Sequence, residues 1–119
     1  MREADVQNSI RIEASKAGLM LWRNNSGVLM DKDGRPVRFG LGNDSAQANK
    51  KIKSSDLIGL WRGRFIAIEC KPKGWVYRGS DREVAQLNYI NLVRKHGGIA
   101  LFATSWEDVH AELTRSLAA

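Results

Sequence analysis

The stretch SSDLIGLWRGRFIAIECKPK, residues 54–73, decides the fold. LIGLW and RFIAIECK are apolar runs separated by Arg62-Gly63, the pattern of two antiparallel strands joined by a two-residue turn. Side chains alternate along a strand, so Phe65, Ala67, Glu69 and Lys71 share one face while Ile66, Ile68 and Cys70 share the other. With Arg62-Gly63 as the loop, Trp61 faces Arg64, and Asp56 then faces Glu69. A three-residue loop would turn that pair apart. Directly opposed residues hold their Cβ atoms about 5 Å apart. Two carboxylates at that distance repel by about 3 kcal/mol at an effective dielectric of 20, against under about 1 kcal/mol in bulk water. A partly buried pair therefore takes up a proton or a divalent cation. Oxygen donors with few other ligands suit Mg²⁺ or Mn²⁺, which keep water and recruit phosphate. Lys71, about 7 Å along the strand from Glu69, suits orienting or deprotonating a water, or stabilising a pentacovalent phosphate. The competing reading is a surface hairpin closing on a Glu69–Lys71 ion pair worth under about 1 kcal/mol.

The rest of the chain narrows the choice. Its 119 residues suit one α/β domain, 1–119, with a core that needs no staples. There is no apolar run long enough for a membrane span, and MREADVQNSIRIE lacks the apolar core of a secretory signal. A single cysteine, Cys70, excludes an internal disulfide and suits a reducing, cytoplasmic setting. Net charge is +6 and the pI is near 9.8, which favours polyanionic partners. The cations cluster at Lys50-Lys51-Lys53 and at Lys71-Lys73-Arg78-Arg82, with Trp75 and Tyr77 interleaved. Such a mixture can grip phosphates and stack on bases. It also fits a solvated loop whose aromatics fold over the core edge.

The element order reads α, several β, α, β, α. Val6, Ile10, Ala14 and Ala17 form a helical stripe that Gly18 ends. LMLWRN (19–24) reads as a strand, and the NNSG and DKDG turns around VLM predict a hairpin running into RPVRFG. Residues 41–55 read as a loop beside the substrate. Ser80 and Glu83 form a capping box for a helix running to about His96, IALFAT (99–104) is a buried strand, and a last helix turns Val109, Leu113 and Leu117 inward. On a helical wheel Glu3 lies about 20° from Ile10 and Asp5 about 140° away, so Glu3 edges the buried stripe. Glu13 is its rival. Gln86 lies about 40° from Ile90, on the inward side of its helix.

Glu3, Asp56, Glu69-Cys70-Lys71 and Gln86, in that order, resemble the PD-(D/E)XK nucleases. Among these the chain is similar to the VRR-NUC (virus-type replication-repair nuclease) domains along nearly its whole length: the E-x-x-x-Q helix, DLIG…GRFIAIECK, QLNYI, GGIALF and SWEDV. The resemblance implies a restriction-endonuclease-like α/β core, a mixed central sheet flanked by helices. It also implies a Mg²⁺-dependent endodeoxyribonuclease that Mn²⁺ can serve. Metal binding would fall to Asp56, Glu69, Cys70 and Glu3, assistance of the water to Lys71, and a supporting catalytic part to Gln86. Lys50, Lys51, Lys53, Lys73, Trp75, Arg78 and Arg82 would meet the DNA. The family's proline before the aspartate is Ser55 here, a loss only of stiffness. Stand-alone members resemble Holliday-junction resolvases, and paired cuts in a four-way junction need the two sites of a homodimer. A flap or branched-DNA nuclease and a non-catalytic DNA-binding module are the alternatives. Two histidines and one cysteine, with His96 read as a helix cap and His110 as solvated, give no zinc site. The GLG at 40–42 has no P-loop lysine and gives no nucleotide cofactor. Cys70 reads as core rather than nucleophile, and Trp22, Trp61 and Trp106 as core or interface rather than stacking platforms.

Overall fold

A computed structural model describes residues 1–118. In chain order the elements are α1 (Glu3–Lys16), β1 (Met20–Arg23), β2 (Gly27–Met30), β3 (Pro36–Phe39), α2 (Ala46–Lys51), β4 (Leu57–Trp61), β5 (Arg64–Cys70), α3 (Asp81–Lys95), β6 (Ile99–Ala103) and α4 (Trp106–Ala118). β4 and β5 form the expected hairpin. Arg62 and Gly63 both have positive φ (51° and 77°), the type I′ turn whose twist matches its strands. Pairing runs from Trp61↔Arg64 to Leu57↔Ile68, so the next step sets Asp56 against Glu69.

Four strands make a mixed sheet in the order β1-β4-β5-β6. β1 and β5 both run antiparallel to β4, while β6 is parallel to β5. A parallel neighbour requires a crossover, and α3 supplies it. The alternation along β5 divides the core as the sequence predicts. Ile66, Ile68 and Cys70 pack with Val6, Ile10, Val109 and Leu113 of α1 and α4. Ala67 packs on the opposite face with Tyr89, Ile90 and Val93 of α3. Gly59 marks the tightest approach of β1 to β4: a β-carbon there would lie 1.8 Å from the carbonyl oxygen of Met20. The result is an α/β fold, a four-stranded mixed sheet flanked by four helices. No described helix is long and apolar enough to cross a membrane.

β2 and β3 stand apart as a two-stranded arm in register Gly27↔Phe39 to Met30↔Pro36. The Asp31 carboxylate closes its turn by accepting from the N–H groups of Asp33 (2.9 Å) and Arg35 (2.8 Å). Val28, Leu29, Met30 and Val37 are exposed on it.

Three expectations are corrected and a fourth is narrowed. Residues 41–55 include α2, which forms because Ser45 accepts from the Ala48 N–H (3.1 Å) ahead of the good helix formers AQANKK. The buried stripe of α1 ends at Ala14, since the helix stops at Lys16 and leaves Ala17 exposed as its C-cap. Leu117 is exposed in the last turn of α4, beyond the core that Val109 and Leu113 reach. Trp22, expected in core or interface, lies on the edge strand β1 and is exposed, which leaves the interface half of that expectation.

Candidate metal centre and its cleft

The end of the β4–β5 hairpin gathers three carboxylates. Asp56 sits just before β4, and its Oδ2 accepts from the backbone N–H of Cys70 (2.9 Å). That bond closes the hairpin one step past its last ladder pair. Asn24 secures the other side: its N–H donates to the Asp56 carbonyl (2.7 Å), and its Nδ2 donates to Ser54 Oγ (2.8 Å) and the Ser55 carbonyl (2.9 Å). Ser55 is buried with its hydroxyl unpartnered among the described residues. The local structure therefore does not depend on that hydroxyl.

Glu3 arrives from the opposite side of the sheet. The Lys73 N–H donates to the Met1 carbonyl (3.1 Å), tying the start of the chain to the segment after β5 and setting the first turn of α1 beside the strand end. One carboxylate oxygen from each of Glu3, Asp56 and Glu69 lies within 4.8 Å of the other two. Glu13 is engaged elsewhere, paired with Lys16 (3.3 Å), and Asp5 pairs with Arg2 at the surface (3.3 Å). Of the helix acids, Glu3 joins the cluster and its rival does not.

Glu69 is only 2% exposed. Burial, then the shared hydrogen bond and charge of Asp56, push its carboxyl up to about 9; Lys71 draws it down and Glu3 adds to the rise. Near neutral pH it holds a proton unless a cation replaces that proton. Burial, followed by the charges of Asp56, Glu69 and Glu3, pushes the Cys70 thiol up as well. The thiol lies on the Ile66–Ile68 face, in the core shared with α1, and stays outside the carboxylate cluster. Cys70 meets the site through its backbone N–H.

Lys71 shares the Glu69 face but does not pair with it. The only ion pairs among the described residues are Arg2–Asp5, Lys16–Glu13 and Arg115–Glu112, all at the surface. Lys71 is 8% exposed, and its Nζ donates to Gln86 Oε1 (2.8 Å). The ammonium also lies 5.5 Å from the Trp75 ring centroid and 5.8 Å from that of Phe102. An aromatic box and one amide oxygen hold this cation. The reading of a surface hairpin closing on a Glu69–Lys71 ion pair fails on both counts, burial and pairing.

Trp75 is the wall of that box and not a free stacking platform. A turn returns its N–H to the Pro72 carbonyl (3.0 Å), and its indole Nε1 donates to Glu83 Oε2 (2.8 Å). Its ring packs on Phe102 with centroids 4.9 Å apart. Glu83 serves twice. Its Oε1 accepts from the N–H groups of Ser80 (3.1 Å) and Arg78 (3.2 Å), completing the capping box of α3, while its Oε2 holds the indole. These bonds, the one from the Ser80 N–H foremost, keep its carboxyl below the usual range.

A cleft of about 290 Å³ opens beside two of the three carboxylates, lined by Asp56, Glu69 and Gln86 together with Lys53, Arg82, Asn24 and Arg38. Of the seven residues expected to meet DNA, Lys53 and Arg82 border this cleft, and Lys50 joins them around an adjoining groove. Lys51 ends α2. Lys73 and Arg78 are exposed between β5 and α3. Asn24, Arg38, Phe102 and the second task of Glu83 escape the sequence reading. Asn24 looks like part of a turn and Glu83 like a cap alone. Phe102 had a usable signal: a strand parallel to β5 sets it beside Glu69 on the same face.

No family model matches the chain, and no curated protein matches it.

Proposed function

We propose that this protein is a metal-dependent endodeoxyribonuclease with a PD-(D/E)XK core, a homodimer that cuts four-way junctions. The single observation that carries the reading is the meeting of Glu3, Asp56 and Glu69 within 4.8 Å at the end of β5, just past which the chain bears Lys71. A structural role alone would not collect two further acids around a buried one with no cation in ion-pairing reach. The donor set fits a hard divalent ion: all oxygen, one carboxylate buried and protonated in its absence, and room in the cleft for water and a phosphate.

In this reading Asp56 and Glu69 hold Mg²⁺ or Mn²⁺, with Glu3 as the third ligand. The bound ion would polarise the phosphodiester and lower the pKa of its water. Asp56 is fixed for this by the Cys70 N–H, which holds its carboxylate in place at the cluster. Gln86 orients the Lys71 ammonium, whose charge steadies the attacking water or the extra negative charge on phosphorus. Water adds to phosphorus, one P–O ester bond breaks, and the leaving oxygen takes up a proton. Lys53 and Arg82 on the rim supply counter-charge for the flanking phosphates. The exposed apolar side chains of the β2–β3 arm support self-association, because a second copy would cover them.

The test is cleavage of labelled four-way junction, flap and plain duplex with Mg²⁺ or Mn²⁺, comparing wild type with Glu69→Ala. Symmetric junction nicks that the variant loses are the expected result. Cutting of flaps alone would keep the metal site and change the substrate. Binding without a cut in either metal would make the chain a DNA-binding module.

A further inference from the structure

Arg38 belongs to β3 of the arm, outside the four-stranded sheet, yet it lines the same cleft as Asp56 and Glu69. Its position is built from below. Arg38 Nε donates to the Asn43 carbonyl (3.0 Å), and one terminal nitrogen donates to Asn43 Oδ1 (2.6 Å). Asn43 is itself only 4% exposed, and its Nδ2 donates to the carbonyls of Gly27 and Phe39 (both 2.9 Å). One buried amide therefore clasps both strands of the arm at their base and one edge of the guanidinium. Gly40 closes the same base tightly: a β-carbon there would lie 2.4 Å from the Ser26 side chain and 2.8 Å from the Asn25 carbonyl oxygen.

A guanidinium has five N–H donors, and Asn43 takes two of them. Among the described residues no carboxylate lies within ion-pairing distance of Arg38. A half-buried cation fixed only by neutral acceptors, with donors to spare in a polar cleft, suits an anion with paired oxygens. Lys53 and Arg82, which line the same cleft, are likewise without a carboxylate partner among the described residues. Neither is anchored by a buried side chain as Arg38 is.

We propose that Arg38, positioned by Asn43, binds a phosphodiester of the DNA strand that occupies the cleft, so that the β2–β3 arm is part of the substrate site. The identity of the polyanion rests on the nuclease reading; the anion site rests on the geometry of Arg38 and Asn43. The alternative is that Arg38 only ties the arm together.

The test is binding of a fluorescently labelled four-way junction in chelator, so that nothing is cut, followed from 50 to 200 mM salt. Each phosphate contact adds about 0.9 to the slope of log K against log salt. Arg38→Gln should bind about tenfold more weakly at 100 mM salt and lose about one unit of slope. Arg38→Lys keeps the charge without the fork and should bind more weakly at nearly the wild-type slope. Thermal unfolding of each variant reports the arm separately, and if Arg38→Gln does not fold, the lysine variant still reads the contact through its affinity. Arg38→Gln with wild-type slope and affinity, or Arg38→Lys with wild-type affinity where only it folds, would overturn the proposal while leaving the nuclease reading intact. Failure of the wild type to bind the junction at all would overturn this proposal and, with it, the four-way junction as the substrate.

Discussion

Replacing Glu69 with Gln keeps the shape of the side chain, supplies a permanent hydrogen-bond donor toward Asp56 and removes the charge that burial penalises. The Glu69 carboxyl rises from an ordinary 4.5 to about 9 on folding. The folded chain therefore holds a proton that the unfolded chain has released, and wild-type stability should fall as pH climbs between those two values. At pH 7 the interval above 4.5 corresponds to a penalty of about 3 kcal/mol in the wild type. Coulomb repulsion between two carboxylates about 5 Å apart at an effective dielectric of 20 gives the same order. Urea unfolding in chelator should show both proteins about equally stable near pH 5. At pH 7 Glu69→Gln should lead by about 3 kcal/mol, or about 10 °C in unfolding midpoint. Manganese should then close the gap: saturation at a hundred times Kd stabilises a binder by about 3 kcal/mol. The wild type should gain this and the variant should gain little. A wild-type stability that is flat or rises over this pH range in chelator would refute the buried-proton reasoning. Equal manganese responses would refute the metal site.

Trp75→Phe should preserve the π face over Lys71, whereas Trp75→Leu should cost about 1 kcal/mol more in urea unfolding through the lost cation–π contact; equal losses would mean the ring gives the ammonium nothing. Gly59→Ala drives a β-carbon against a backbone oxygen that cannot rotate away, so it should cost at least about 2 kcal/mol in urea unfolding, and a neutral result would show that β1 can shift along β4.

Much of this architecture is legible in the sequence because short-range rules fix it. Arg62-Gly63 dictates a two-residue turn, the turn dictates the register, and the register sets Asp56 against Glu69 before any tertiary contact is known. The helix periodicity is enough to rank Glu3 as the acid on the edge of the buried stripe, although Glu13 stays open until the Lys73–Met1 bond sets the first turn of α1 at the strand end. α2 escapes because six residues are too few to display a period. Arg38 and Asn43 escape because a polar pair five apart, one in a hairpin segment and the other in the loop after it, gives no sign of where an arm will lay it.

Lys71 shows where such reasoning stops. Strand alternation puts it on the Glu69 face, and a carboxylate two residues away is the nearest partner that sequence offers. The fold supplies others. β6 runs parallel to β5 and sets Phe102 beside Glu69, α3 brings in Gln86, and the turn after Pro72 folds Trp75 back where Glu83 can hold it. Each of these partners comes from a different element, so no local window contains the box. Its effect is to keep the ammonium out of an ion pair with Glu69. That leaves the carboxylates to one another and to a proton, or to the divalent ion of the proposed reaction. A Glu69–Lys71 ion pair would hold the Glu69 carboxyl low, so its contribution would be lost only below about pH 5 and wild-type stability would stay level from pH 5 to 7. The separated arrangement requires stability to fall over that range, so that one titration in chelator tells the two arrangements apart without any assay of cleavage.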